Sequence, residues 1–355
     1  MASANALGYI LPLGMGSAAV AGLSLAHVDW KTIILKFVTG PGRTSRILLA
    51  IFVLINYKSM PFMWTYRVLG AITRQHLPYL RPARLHPRML FHYSITSSYN
   101  SLLETDYNFH KSNSTYFSDL DVARSHCVSH LLRPGMDAIA RNAETQCVRT
   151  KDGELAKGGM AVGLGAVFCS FRREVAVLQG YEMWTRVLAW DRKWVYLVTH
   201  FVVKGKVRPT AWDQDGSERW FGPLRKKQKT AGLSGAEAKE LEKHVIATAV
   251  SKYVFKVGRF TVHPAILLEK SGLLPARPGG WIGGVNEVWD EVVDEDLGGA
   301  QNGESEEEDG VGDWRQVESQ RRQGMKFAER FAALDGLNGL FDGGEHGALG
   351  RFYPG

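Results

Sequence analysis

The sequence predicts an α+β domain in which an antiparallel sheet wraps a long central helix, preceded by N-terminal membrane-associated helices. Three observations lead there: two apolar stretches within the first 60 residues, a helical stripe in residues 113–131, and a run of strand-like segments after it. The 355 residues suffice for one substantial domain with extensions or for two modest ones.

Residues 6–28 contain no Asp, Glu, Lys or Arg. As a helix they would reach about 35 Å against a hydrocarbon core of about 30 Å. They are long enough to span, although Pro12 and several Gly and Ser interrupt them and no basic start marks a secretory signal. Residues 47–57, ILLAIFVLINY, are more apolar; continued as a helix to Met63 they cross Lys58 and reach only about 26 Å. Lys31, Lys36, Arg43 and Arg46 lie between the two stretches, and Lys58, Arg67, Arg74, Arg81, Arg84 and Arg88 follow them. Positive flanks favour the cytosolic side. The expectation is one span plus an interfacial segment, with the folded domain facing the cytosol from a membrane such as the endoplasmic reticulum.

Residues 90–99, LFHYSITSSY, read as a strand. Asn113 suits a helix N-cap, and Tyr116, Leu120, Ala123, Cys127 and Leu131 then share one face of a helix of about 18 residues. Residues 160–177, 181–190 and 193–203 read as strands rich in Val, Phe, Tyr and Trp, with Gly180 and Asp191-Arg192 in the turns. Residues 207–250 interrupt this meander as a polar insertion that contains RKKQK (225–229) and a helical SGAEAKELEKHVIATAVSKY; residues 252–264 resume strand character. The expected division is an anchor over 1–75, a folded domain over 76–270 with its insertion at 207–250, and a tail over 271–355. That tail reads as acidic and largely disordered, with a short helix at 323–341.

The net charge of +7 conceals an asymmetry. Residues 287–313 hold 12 acidic residues and no Lys or Arg, so the remainder carries 43 − 24 = +19. Such a field suits anionic partners: nucleic acid, anionic lipid, or a phosphate-bearing substrate such as coenzyme A. The Lys and Arg are scattered rather than striped and no nucleic-acid-binding motif is present, which argues against nucleic acid. Cys127, Cys147 and Cys169 have no metal-ligand spacing and form no disulfide framework. No metal and no redox cofactor is expected.

One strand, one long helix and a run of antiparallel strands is the element order of a hot-dog fold. Residues 104–116, ETDYNFHKSNSTY, resemble the motif Asp-x-Asp-x-x-Gly-His-x-Asn-Asn-x-x-Tyr of the 4-hydroxybenzoyl-CoA thioesterase branch of the hot-dog superfamily. Glu104 stands for the first Asp, Phe109 for the Gly and Ser112 for the first Asn. Within that branch Asp106-Tyr-Asn-Phe-His110 is similar to the Asp-Phe-Asn-Leu-His of the membrane-anchored thioesterase-superfamily proteins of animals, with Asp119, Asp121 and Arg124 matching their acidic residues and arginine. The chain also resembles the thioesterase-like proteins of fungal secondary-metabolite clusters. These resemblances cover residues 90–205, with 252–264 supplying the last strand.

The chemistry follows from the residues. A thioester carbonyl needs a nucleophile or an activated water, and donors for the developing oxyanion. Asp106 precedes the helix, whose first N–H groups are unpaired and carry the positive end of the dipole. Asp106 would attack or activate water, Asn113 would cap the helix and orient substrate, and His110 would hold the loop or share a proton with Asp106. The candidate catalytic set is therefore Asp106, His110 and Asn113. Glu104, Phe109, Ser112, Ser114, Tyr116 and Arg124 are the candidate substrate-binding set, although Asp121 and Arg124, three apart, also fit a helix-surface ion pair. The 113–115 sequon would be idle in a cytosolic domain.

The expected activity is hydrolysis of an acyl-CoA or acyl-carrier-protein thioester in lipid or polyketide biosynthesis at a membrane, and the resemblance to hot-dog proteins implies a homo-oligomer, a dimer or a dimer of dimers. Two rivals stand beside it: a non-catalytic acyl-binding or scaffolding hot-dog module, and a hydroxyacyl-thioester dehydratase that would need His110 as its base.

Overall fold

The computed structural model describes residues 29–74, 85–150, 152–209, 235–282 and 314–341. The first apolar stretch, RKKQK and the acidic run at 287–313 lie outside them. In chain order the helices are α1 (Trp30–Thr39), α2 (Arg43–Ile55), α3 (Met63–Arg74), α4 (Asn113–Leu131), α5 (Arg133–Ala140), α6 (Asn142–Thr145), α7 (Gly235–Glu242), α8 (Pro264–Lys270) and α9 (Trp314–Ala333). The strands are β1 (Ser94–Tyr99), β2 (Met160–Phe171), β3 (Gly180–Trp190), β4 (Val195–Val203), β5 (Val245–Val257) and β6 (Phe260–Thr261). They form one antiparallel sheet in the order β1-β3-β4-β5-β2, with β6 hairpinned onto β5. This is the hot-dog arrangement expected from the sequence.

Helix α4 lies on the inner face of the sheet. Its stripe of Tyr116, Leu120, Ala123, Cys127 and Leu131 is buried throughout. The first three pack with Tyr181, Met183, Phe201, Ile246 and Ala249, the last two with Val187, Leu197 and Phe255. Each fully buried Leu or Phe contributes about 1.5–3 kcal/mol relative to an exposed one. A second buried line on α4, Asp119, Val122 and Ser129 with half-buried His126, is spaced to lie on another face, and α3 packs along the helix. Arg67 of α3 donates to Asp119 at 2.8 Å.

Helix α9 covers the outer face, where Ala328 and Phe331 pack on Tyr196. A Cβ added at Gly324 would stand 2.0 Å from the Leu188 carbonyl oxygen, so glycine is what lets the helix backbone lie directly on β3.

Three expectations change. The helical reading of residues 234–253 fails after Glu242: β5 begins at Val245, so the last part of the supposed insertion is central sheet. The terminal helix starts at Trp314, nine residues earlier than expected, and ends at Ala333, with a 3-10 segment Leu334–Leu340 after it. The second apolar stretch does not continue to Met63; α2 stops at Ile55, a 3-10 turn spans Tyr57–Ser59, and α3 starts afresh. Among the described residues no single helix is long and apolar enough to cross a membrane, although α1 and α2 together pass that test while bent by 112° at Gly40-Pro41-Gly42.

Candidate active site

A short 3-10 turn, Leu102–Glu104, leads from β1 into the loop that carries Asp106. The loop is closed at its base by a bridge between Thr105 and Lys111. Inside it the Asp106 N–H donates to the His110 carbonyl at 2.9 Å and the Phe109 N–H to the Asp106 carbonyl at 3.0 Å. The Asp106 carboxylate accepts the backbone N–H of Asn108 at 2.9 Å and, more weakly, that of His110 at 3.4 Å. It remains partly open to solvent, and its loop neighbours Tyr107 and Phe109 are exposed.

Phe109 has φ +63°. This left-handed conformation costs a non-glycine residue about 1–2 kcal/mol, which explains physically why the resembling motif has Gly there. The chain keeps the turn and gains an aromatic ring, 76 % exposed, in the Asp106 loop.

Asn113 is not the N-cap. Ser112 holds that position without a side-chain cap bond, its hydroxyl lying 3.1 Å from that of Ser114, and Asn113 sits exposed in the first helical turn. Ser112 supplies no side-chain cap and its carbonyl accepts the Thr115 N–H at 3.0 Å, so the N–H groups of Asn113 and Ser114 are the ones at the positive end of α4 that suit an incoming oxyanion.

His110 does not reach Asp106 through its ring. Its Nε2 lies 3.2 Å from Glu174, in the β2–β3 connection, and its backbone bridges Ala176. It ties the loop to the sheet rather than sharing the Asp106 proton. Tyr116 is core, packed edge-on against Phe171 and Phe201, and burial raises its phenol. Arg124 is no surface partner: it is 1 % exposed, donates to Ser251 at 2.8 Å and to Asp121, and leaves no face for a substrate.

Glu104 also turns inward, into a buried ionic cluster that the sequence reading missed. Its carboxylate meets Lys58 at 2.7 Å and Lys111 at 2.9 Å. Asp119 meets the same two ammonium groups at 3.0 and 3.1 Å, Arg67 at 2.8 Å and Ser98 at 3.2 Å, and it accepts from Tyr181. Three cations surround two anions. Burial alone would raise the Asp119 carboxyl, but Lys58, Lys111 and Arg67 outweigh it and hold the group well below the ordinary carboxylate range. Burial pulls the Lys58 ammonium down from its ordinary value. The one available signal was Asp119 itself, an acid on a helix with apolar neighbours on both sides of it in space.

Beside the loop, at the far end of β2, Arg172, Arg173, Lys239 and Lys243 with Glu242 and Val245 line a cleft of about 310 Å³. Arg172 pairs with Glu242 at 2.7 Å, and the N–H groups of Arg172 and Arg173 both donate to the Ile246 carbonyl. Among the described residues no cluster of His, Cys, Asp and Glu could hold a metal.

The chain is similar in sequence to known thioesterase-like proteins. The sequence model of the thioesterase-like superfamily matches residues 101–221, which include the loop, α4 and strands β2 to β4. The probable thioesterase atnL of Emericella nidulans is 32 % identical over 340 residues, covering 93 % of this chain and 96 % of that protein. The thioesterase poxG of Penicillium oxalicum is 35 % identical over 306 residues, covering 84 % and 88 %. The thioesterase lcsJ of Purpureocillium lilacinum is 31 % identical over 316 residues, covering 81 % and 89 %. The chain belongs to the thioesterase-like superfamily and, as a thioesterase, is a hydrolase acting on acyl thioesters.

Proposed function

We propose that hydrolysis takes place at the Asp106 loop, with an acyl group carried by coenzyme A or a carrier protein as substrate. Asp106 attacks the thioester carbonyl or activates the water that does, and the first-turn N–H groups of α4 receive the oxyanion. The observation that carries this reading is a loop pinned at both ends that presents a half-open carboxylate immediately before a helix start with no side-chain cap. Tyr107 and Phe109 offer an apolar wall to the acyl group.

The basic cleft is the landing site for the phosphates of the carrier. It adjoins the loop, because Glu174 and Val175, which hold His110 and Lys111, follow Arg173 directly. Reversing two charges together, Arg173→Glu with Lys243→Glu, is expected to raise KM for acyl-CoA about tenfold, roughly 1.4 kcal/mol, while leaving kcat within about a factor of two. Steady-state kinetics at low salt measures this; an unchanged KM removes the cleft from the site.

The enzyme acts as a dimer at a membrane. Among the described residues strand β2 pairs with β5 alone, and this 12-residue edge strand carries exposed Leu164 and Phe168, a surface that natural sheets normally pair or cover. A second copy adding its own β2 there would extend the sheet; sedimentation as a monomer would contradict it. Helices α1 and α2 bury none of their residues and expose Ile34, Leu35, Leu48, Leu49 and Leu54, with Lys36, Arg43 and Arg46 beside them. That combination suits an anionic cytosolic leaflet, the endoplasmic reticulum among the candidates. Flotation with liposomes tests it.

The activity is tested by free-thiol release from short, long and aromatic acyl-CoAs, and from acyl-carrier proteins, using the full chain in detergent. Turnover above the spontaneous rate with one substrate class identifies it. No turnover with any of them would contradict this reading of the site.

A further inference from the structure

The N-terminal segment and the site loop are stitched together residue by residue. The Asn56 amide oxygen accepts the Leu103 N–H at 2.9 Å, Tyr99 donates its hydroxyl to the Ile55 carbonyl at 2.7 Å, and the hydroxyls of Ser59 and Ser101 lie 2.7 Å apart. Between these contacts Lys58 enters the domain, 4 % exposed, and brings its ammonium to Glu104 at 2.7 Å, Asp119 and Ser98 at 3.0 Å and Tyr181 at 3.2 Å. Glu104 also holds Lys111. Glu104 stands immediately before the Thr105–Lys111 closure, and Lys111 is the closing residue at its exit. The Lys111 N–H also donates to the Val175 carbonyl at 2.9 Å, and that of Ser112 to the Glu104 carbonyl at 2.8 Å.

We propose that Lys58, delivered by the segment that follows the apolar helices, is a positioning residue of the thioesterase site: it clamps Glu104, and through the shared carboxylates Lys111, so that the Asp106 loop keeps one geometry. This rests on the reading of Asp106 as the reacting group. The physical argument is one of charge. Two lysines converge on one buried carboxylate only because a second carboxylate, Asp119, stands behind them, and a lysine that left would strip both carboxylates of a partner in a dry interior. The loop therefore cannot relax away from α4 while Lys58 is in place. Misplacement of a reacting group by about 1 Å costs on the order of 10² in rate, so a clamp of this kind acts on kcat rather than on substrate affinity. It also makes the segment between the apolar helices and the folded domain a working part of the site. Any displacement of α2 relative to β1 passes through Asn56 and Lys58 to the loop that carries Asp106.

The test uses the full chain in detergent and reads two quantities, kcat against KM and hydrogen exchange of the amides in residues 105–112. Lys58→Met is expected to lower kcat about 10- to 100-fold with KM within about threefold, and to speed exchange in the loop while the sheet and the rest of α4 stay protected. Lys58→Arg, which keeps the charge, is expected to recover most of both. Should Lys58→Met fail to fold, the double variant Lys58→Met with Glu104→Gln removes the clamp and the charge it balanced together, and the same loss of kcat and protection is expected. Unchanged exchange and unchanged kcat in a folded Lys58→Met or double variant overturn the clamp. The exchange measurement does not depend on turnover. If Asp106→Asn is fully active while Lys58→Met loosens the loop, the reading of Asp106 fails and the clamp stands as a structural device only.

Discussion

Asp119→Leu is expected to destabilise the folded chain by about 3–5 kcal/mol, the usual consequence of removing one partner from a buried ion cluster. The wild-type cluster balances Lys58, Lys111 and Arg67 against Glu104 and Asp119. Without Asp119, three buried or half-buried cations share one carboxylate, and Tyr181 loses the acceptor of its hydroxyl. Denaturant unfolding of the two proteins side by side measures the loss, and adding Lys58→Met to Asp119→Leu should recover part of it because the excess charge falls. The same group sets an acid limit. Its folded-state carboxyl lies below its ordinary value of 3.8, so its contribution is fully present above that pH and is lost as the pH falls below it toward the folded value. An Asp119→Leu protein as stable as wild type at neutral pH would mean that the cluster contributes nothing.

A fragment that begins at Arg81 is expected not to reach the native state. It lacks Lys58 and Arg67 together, which leaves Glu104 and Asp119 with Lys111 as their one remaining cation partner in the cluster. It also lacks α3, so the line of Asp119, Val122, His126 and Ser129 loses the helix that packs along α4. Near-ultraviolet circular dichroism and gel filtration of this fragment, compared with a chain that begins at Trp30, check the prediction. A soluble fragment with native near-ultraviolet signal would show that the N-terminal segment is an appendage.

How far the sequence foretold this molecule depended on whether its signals were local. Helix α4 was legible because Tyr116, Leu120, Ala123, Cys127 and Leu131 repeat at helical spacing and all pack on one sheet. Strands β3 and β4 were legible from their Val and aromatic content and from the turn at Asp191, whose carboxylate accepts the N–H groups of Lys193 and Trp194. The start of β5 was hidden because Ala247 and Ala249 have little intrinsic strand preference. They are strand because small residues fit under Phe201 and α4, an instance of packing overriding propensity. The first half of α9 was hidden because it is largely polar and buries Val317 and Glu318, the latter among Arg277, Arg321 and Arg322, with no apolar stripe.

In the candidate site, the motif located the Asp106 loop but not the directions of its side chains. It could not reveal that His110 turns to Glu174, that Ser112 rather than Asn113 takes the N-cap position, or that Glu104 turns inward. Lys58 read as the charged end of an apolar run because its partner Asp119 lies 61 residues away. No local pattern encodes such a pair.

The measurement closest to the centre of the account is thioester turnover by full-length wild type and Asp106→Asn, run in parallel on whichever acyl thioester the wild type hydrolyses. A general base contributes about 10² to 10⁴ in rate. Asn keeps the size of the side chain and the oxygen that accepts the Asn108 N–H, so the loop should hold its shape while the chemistry fails. The account predicts a fall in kcat of at least about 10² with an unchanged unfolding midpoint. An Asp106→Asn protein that turns over at the wild-type rate would contradict it and move the reacting group elsewhere in the fold.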